Sequence, residues 1–160
     1  MPLDAAATDP DRDLVLTRII DVPAAKLFQC WTTPDLLPLW FCPPPWKVSK
    51  AVMDLRAGGA SVVTMQGPNG ELVDNPGIYL EVIPNQKLVF TDAYTSAWVP
   101  SAKPFMTAII TFEDLGDGKT RYTAIARHWT AEDKATHEQM GFHEGWGVAA
   151  DQMAALAATL

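Results

Sequence analysis

A chain of 160 residues can bury a substantial core within one domain. Its formal net charge of −7, with 12 Lys and Arg scattered rather than clustered, argues against nucleic acid or an anionic membrane surface as partner. No apolar run approaches the ~18 residues that a membrane span requires.

Residues 1–12 are polar and acidic and lack the basic-then-apolar pattern of a secretory signal. They are expected to form a flexible tail ahead of a single domain over 13–160, and the protein is expected in the cytoplasm. The two cysteines, Cys30 and Cys42, have no CxxC spacing, and a cytoplasmic setting disfavours a bond between them. Asp13 to Asp21, DLVLTRIID, is rich in β-branched residues and predicts a first strand. Pro23 suits the first position of a helix with Leu27, Phe28 and Trp31 on one face. Thr33-Pro34-Asp35 is a second start signal: a capping hydroxyl, a preset φ and an acid near the positive helix end. Pro38 must cut that second helix short.

After Trp40-Phe41 and a run of prolines, the spacing predicts antiparallel strands over 46–55, 60–66, 77–83, 87–94, 105–113 and 120–129. Gly58-Gly59, Gly67-Pro68-Asn69-Gly70, Pro84-Asn85 and Gly116-Asp117-Gly118 supply turn chemistry between most of them. Thr95 to Pro104, with two prolines and Trp98, reads as a mobile loop.

Thr130 to Leu160 predicts one long helix. Thr130 and Asp133 have capping-box spacing, and Phe142, Trp146, Ala149, Met153, Leu156 and Leu160 recur at steps of four and three. Gly141, Gly145 and Gly147 each cost roughly 1 kcal/mol against alanine inside a helix. Close packing on a sheet is one reading of them, and the wall of a cavity is the other. The whole order predicts an α+β architecture. A curved antiparallel seven-stranded sheet wraps around the long C-terminal helix, and two short helices after the first strand fill one open end.

Several stretches, in order, carry a resemblance: RIIDVPAAKLFQCWTTPDLLPLW (18–40), DLRAGG (54–59), GPNGE (67–71), GIYLEVIPNQKLVFTD (77–92), GDGKTRYT (116–123) and MGFHEGWG (140–147). Together they resemble the START/Bet v 1-like superfamily (SRPBCC), and within it the subfamily similar to the C-terminal domain of the activator of Hsp90 ATPase. The resemblance implies a helix-grip fold with an internal cavity for small hydrophobic ligands. Superfamily members include aromatase/cyclase-like enzymes, lipid and hormone carriers and Hsp90 regulators, so activity stays open. The first reading is a binder of a small hydrophobic molecule, with cyclase-like or hydrolytic chemistry as an option. The alternative is a module acting on an Hsp90-type chaperone. That role commonly accompanies a separate N-terminal domain, and the residues before Asp13 read only as a tail.

Candidate binding residues follow from the cavity reading. His143, three residues from Trp146, borders the apolar stripe, where an imidazole would move protons near neutral pH or brace the helix. Under strict alternation Leu88, Phe90, Asp92 and Tyr94 share a face, so Asp92 and Tyr94 would offer polar groups at one cavity end. Asp92 capping the next loop is the alternative. Trp98 is expected to fold over the mouth, Ala124 and Ala126 to leave room, and Trp40, Phe90 and Trp146 to supply aromatic walls. His137 and His143, six apart, fall on different helix faces, so no metal site is expected. No phosphate loop or nucleophile elbow is present, and no cofactor is expected. Apolar edge strands and proline-rich loops leave a homodimer open.

Overall fold

The structure, a computed structural model, describes residues 8–160. The β-branched run folds as β1 (Asp13–Ile20), which buries Leu14, Leu16 and Ile20 and turns Val15 and Ile19 outward. Helix α1 (Ala24–Thr32) starts after Pro23 and buries Leu27, Phe28, Cys30 and Trp31. It stops where Thr33, the residue before Pro34, becomes extended. The expected second helix shrinks to one 3-10 turn, Leu37–Leu39, because Pro38 inside it cannot continue an α-helical ladder.

The remaining strands are β2 (Lys47–Met53), β3 (Ser61–Gln66), β4 (Leu72–Asn75), β5 (Ile78–Ile83), β6 (Lys87–Thr91), β7 (Tyr94–Ser96), β8 (Val99–Pro100), β9 (Met106–Gly116) and β10 (Lys119–His128). The helix-grip expectation of a large antiparallel sheet with C-terminal helix holds, but the strand count differs. A five-stranded sheet in the order β1-β10-β9-β6-β5 is joined by a three-stranded sheet β2-β3-β4 and a small hairpin β7-β8. Strand β4 is exposed along its whole length, so no apolar alternation announces it. Strand β6 ends early because the Asp92 carboxylate accepts hydrogen bonds from the amides of Phe105 (2.9 and 3.0 Å) and Met106 (3.2 Å). The segment expected as a mobile loop holds the β7-β8 hairpin, with Trp98 at φ 63° in its turn.

The two larger sheets meet at a narrow seam. Ala60 bridges Ile78, and hydrogen bonds run from the Ser61 amide to Gly77 O and from the Tyr79 amide to Gly59 O, each 2.9 Å. Gly77 is needed there, since a Cβ would run into the Thr91 carbonyl.

The expected single C-terminal helix is two. Thr130 caps α2 (Ala131–Gln139) by accepting from the Asp133 amide at 3.0 Å. Gly141, at φ 92°, then breaks the chain before α3 (Phe142–Ala157). The glycines therefore do not form a cavity wall. Gly141 is the break, Gly145 lies beside Pro43, and a Cβ on Gly147 would sit 3.0 Å from the Arg18 guanidinium. Helix α3 buries Phe142, Ala149, Ala150, Met153 and Ala157 in one cluster with α1 and the inner face of the main sheet.

Of the expected tail, residues 1–7 lie outside the described residues. Residues 9–12 form a turn docked on the domain, a correction to the tail reading. The Asp13 amide bonds Asp9 O at 2.8 Å, and Lys134 Nζ donates to Pro10 O at 2.7 Å. Asp13 itself is paired with Arg127 at 2.8 Å, so the end of the turn is held by a bidentate charge-assisted contact.

Candidate functional site

Where the second sheet departs from the main one, a cleft opens beneath α1. Trp31, Leu37 and Phe41 come from α1 and the segment after it; Val52, Met53, Ser61 and Val63 from the second sheet; Tyr79, Leu88 and Phe90 from the main sheet. Its free volume is about 20 Å³, room for roughly one water molecule. In this form the side chains nearly close it.

The walls are aromatic. The Trp31 ring lies 5.6 Å from Phe90 and 5.7 Å from Phe41, with Trp40 stacked edge-on behind it at 4.9 Å. Both indoles are spent on internal hydrogen bonds: Trp31 Nε1 donates to the Tyr122 hydroxyl at 3.3 Å, and Trp40 Nε1 to Cys30 O at 3.0 Å. Gln152 on α3 donates to the carbonyls of Trp40 (2.9 Å) and Cys42 (3.0 Å), bracing this segment from outside the cleft. The polar lining consists of Ser61 and Tyr79; burial raises the Tyr79 pKa, and the neighbouring Ser61 side chain offsets part of that. No lining residue is a carboxylate, histidine, lysine or arginine. The arrangement can enclose an apolar ring and offer it one hydroxyl pair, but it holds no group that titrates near neutral pH.

Of the residues expected to bind, Phe90 lines this cleft. Trp40 stands one layer behind. Asp92 is spent on the Phe105 and Met106 amides. Tyr94 and Trp98 pack on each other at 5.8 Å in the β7-β8 hairpin, and Trp98 is 65% exposed, lying against Gly58 rather than over the mouth. Ala124 and Ala126 are fully buried in the closed core. Trp146 stacks on Phe142 at 4.8 Å, and His143 is exposed beside Glu138 at 3.4 Å. The structure thus does not bring these nine side chains to one place. Sequence reading missed Ser61, Val63 and Tyr79, which nothing but the seam connects to Trp31.

It also missed a histidine pair. His128 Nδ1 lies 2.8 Å from the Arg12 carbonyl and must donate to it, since a carbonyl only accepts. In the neutral ring Nε2 is then the acceptor for His137 Nδ1–H, 2.8 Å away. Phe105 and Phe142 pack on His137, each at 5.3 Å. Burial and the neighbouring His128 lower its pKa to about 4. The pair anchors α2, which has no buried residue of its own. Burial also pushes the Cys30 and Cys42 thiols up to about 11, leaving both inert. Among the described residues no group of three or more ligating side chains is placed to hold a metal, and no helix is long and apolar enough to cross a membrane.

The family described as activator of Hsp90 ATPase homolog 1-like protein matches residues 21–158. The chain belongs to that family. A crystal structure of a protein from Nitrosomonas europaea is 39% identical over 95% of this chain and 97% of its own, with a TM-score of 0.91. One from Mycobacterium smegmatis is 28% identical, covers 91% and 90%, and has a TM-score of 0.74. A structure from Rhodobacter sphaeroides, at 18% identity, 96% and 97% coverage and TM-score 0.82, shares the fold. No curated protein matches the chain.

Proposed function

We propose that the protein binds a small hydrophobic molecule in the seam cleft, as the fold family commonly does. The observation that carries this is the convergence of Trp31 from α1, Phe41 from the segment after it, Tyr79 from β5 and Phe90 from β6 on the place where the two sheets part. Entry requires the cleft to widen, and the second sheet is the part that can yield. Strand β3 is half-buried along its length, β4 is exposed, and one bridge with its neighbouring hydrogen bonds ties them to β5. Burying ~150 Å² of ligand ring returns roughly 4 kcal/mol at ~25 cal/mol per Å², before association costs. Binding in the micromolar range therefore needs the ring contacts and a hydrogen bond together. Since the cleft holds no group that titrates near neutral pH, the reading is of binding rather than hydrolysis or cyclisation. The two unpaired thiols support a cytoplasmic setting.

The test is calorimetric titration with a panel of aromatic and fatty compounds. At least one aromatic compound should bind below millimolar, and Val63→Phe, which fills the cleft, should abolish it while circular dichroism stays unchanged. No binding below millimolar, or equal binding by the filled variant, overturns the reading. The family match favours a second reading, action on an Hsp90-type chaperone. Stimulation of the host chaperone's ATPase by the purified protein would support it, and no change in rate would remove it.

A further inference from the structure

The cleft's polar inventory restricts the ligand further, and this step rests on the binding reading above. Ser61 and Tyr79 each carry one O–H, and both residues line the cleft. Even where one of these hydroxyls donates to the other, that bond spends only one of the two protons, so one O–H remains to meet a ligand. The other lining side chains are apolar, apart from the Trp31 N–H already given to Tyr122. Nearby Arg56, on the loop before the seam, is paired with Asp54 at 2.8 Å. A ligand carboxylate would therefore lose its water and meet no cation, whereas a neutral oxygen acceptor would meet a waiting donor.

From this we infer that the cleft selects uncharged aromatic molecules bearing an oxygen acceptor, such as aryl ketones or phenols, over aromatic or fatty acids. Three probes that share one ring system separate the contributions: naphthalene, 2-acetylnaphthalene and 2-naphthoate, titrated at pH 7.4. The acetyl compound should bind about tenfold tighter than naphthalene through the added hydrogen bond. It should also bind on the order of a hundredfold tighter than the nearly isosteric carboxylate. Tyr79→Phe alone leaves the Ser61 hydroxyl and should keep the acetyl advantage. Ser61→Ala/Tyr79→Phe removes both donors and should bring the acetyl compound to within about threefold of naphthalene. Should the double variant not fold, the wild-type comparison of ketone with carboxylate still decides. Naphthoate binding as tightly as the ketone, or naphthalene equalling it, overturns this inference while leaving binding in the cleft intact. If none of the three binds below millimolar, both readings fall.

Discussion

The two halves of the molecule treat small side chains and large ones in opposite ways. In the closed half, Ala108, Ala124 and Ala126 on the main sheet are fully buried, and so are Leu27, Met153, Phe112 and Phe142, which fill the space around them. Small residues there mark where a large neighbour fits, not where a ligand fits. In the seam half Trp31, Phe41, Tyr79 and Phe90 line the cleft, yet the second sheet buries only Val48 and leaves β4 outside. On the binding reading, room to open would come from weak attachment rather than from missing side chains. If the proposed site is right, a cavity is better sought where few hydrogen bonds cross between layers than where alanine and glycine accumulate.

The largest test of that contrast is core truncation. Phe112→Ala, in the closed half, should cost about 3–5 kcal/mol in urea unfolding, because the pocket it leaves cannot collapse. Val63→Ala in the half-buried seam should cost about 1 kcal/mol or less. Equal losses would mean that the seam is as tightly packed as the core.

Acid should come next, acting on the anchor between the halves of the C-terminal segment. His137 has a folded pKa of about 4 against about 6.5 in an unfolded chain. Between those values the unfolded chain takes up a proton that the fold refuses, so this contribution is complete above pH 6.5 and is lost as pH falls toward 4. At about 1.4 kcal/mol per pKa unit the full shift would give roughly 3 kcal/mol, and because His137 is only partly buried, solvent screening brings the loss below that. Comparing unfolding of wild type and His137→Gln from pH 7 to 4 isolates it from the carboxylates. Parallel pH profiles would show that the imidazole pair does not restrain α2.

The glycines separate on a smaller scale. Gly141→Ala should destabilise by about 1 kcal/mol, since φ 92° is unfavourable for any residue with a Cβ even though the space around it is open. Gly145→Ala should stabilise by about 0.5 kcal/mol, because its Cβ would only touch Pro43 at 3.9 Å inside a regular helix. Thermal unfolding reads both, and a shared sign would contradict the assignment of one as a break and the other as helix interior.

Those glycines also show what a sequence carries and what it does not. The β1 run, Pro23, the Thr130–Asp133 cap and the turn glycines act locally, over a few residues, so the fold was legible from them. The helix break was not, because the three glycines look alike in the hydrophobic pattern and only Gly141 takes a left-handed φ. The cleft was less legible still. Strict alternation carried β6 through Tyr94, whereas Asp92 turns the chain, and a register shift between Tyr79 and Glu81 resets which β5 side chains face inward. Trp31, Ser61 and Tyr79 meet through the Ala60–Ile78 bridge and the hydrogen bonds beside it, contacts no local rule specifies.

The smallest expected effect is also the one that most sharply separates the two halves as binding sites. His143 looked suited to a cavity because it borders the apolar stripe of its helix. In the fold it touches the Phe142 ring at 5.1 Å from outside and meets Glu138 at 3.4 Å, with both side chains more than half exposed. An exposed pair of this kind is screened by water and contributes little. His143→Ala should therefore leave unfolding within about 0.5 kcal/mol of wild type and leave any affinity for 2-acetylnaphthalene unchanged. Phe90→Ala, by contrast, removes a ring that packs on Trp31 at 5.6 Å and should weaken that affinity about tenfold or more. The two variants measured side by side place the ligand. Loss of affinity in His143→Ala with Phe90→Ala unaffected would move the site to the C-terminal helix and away from the seam.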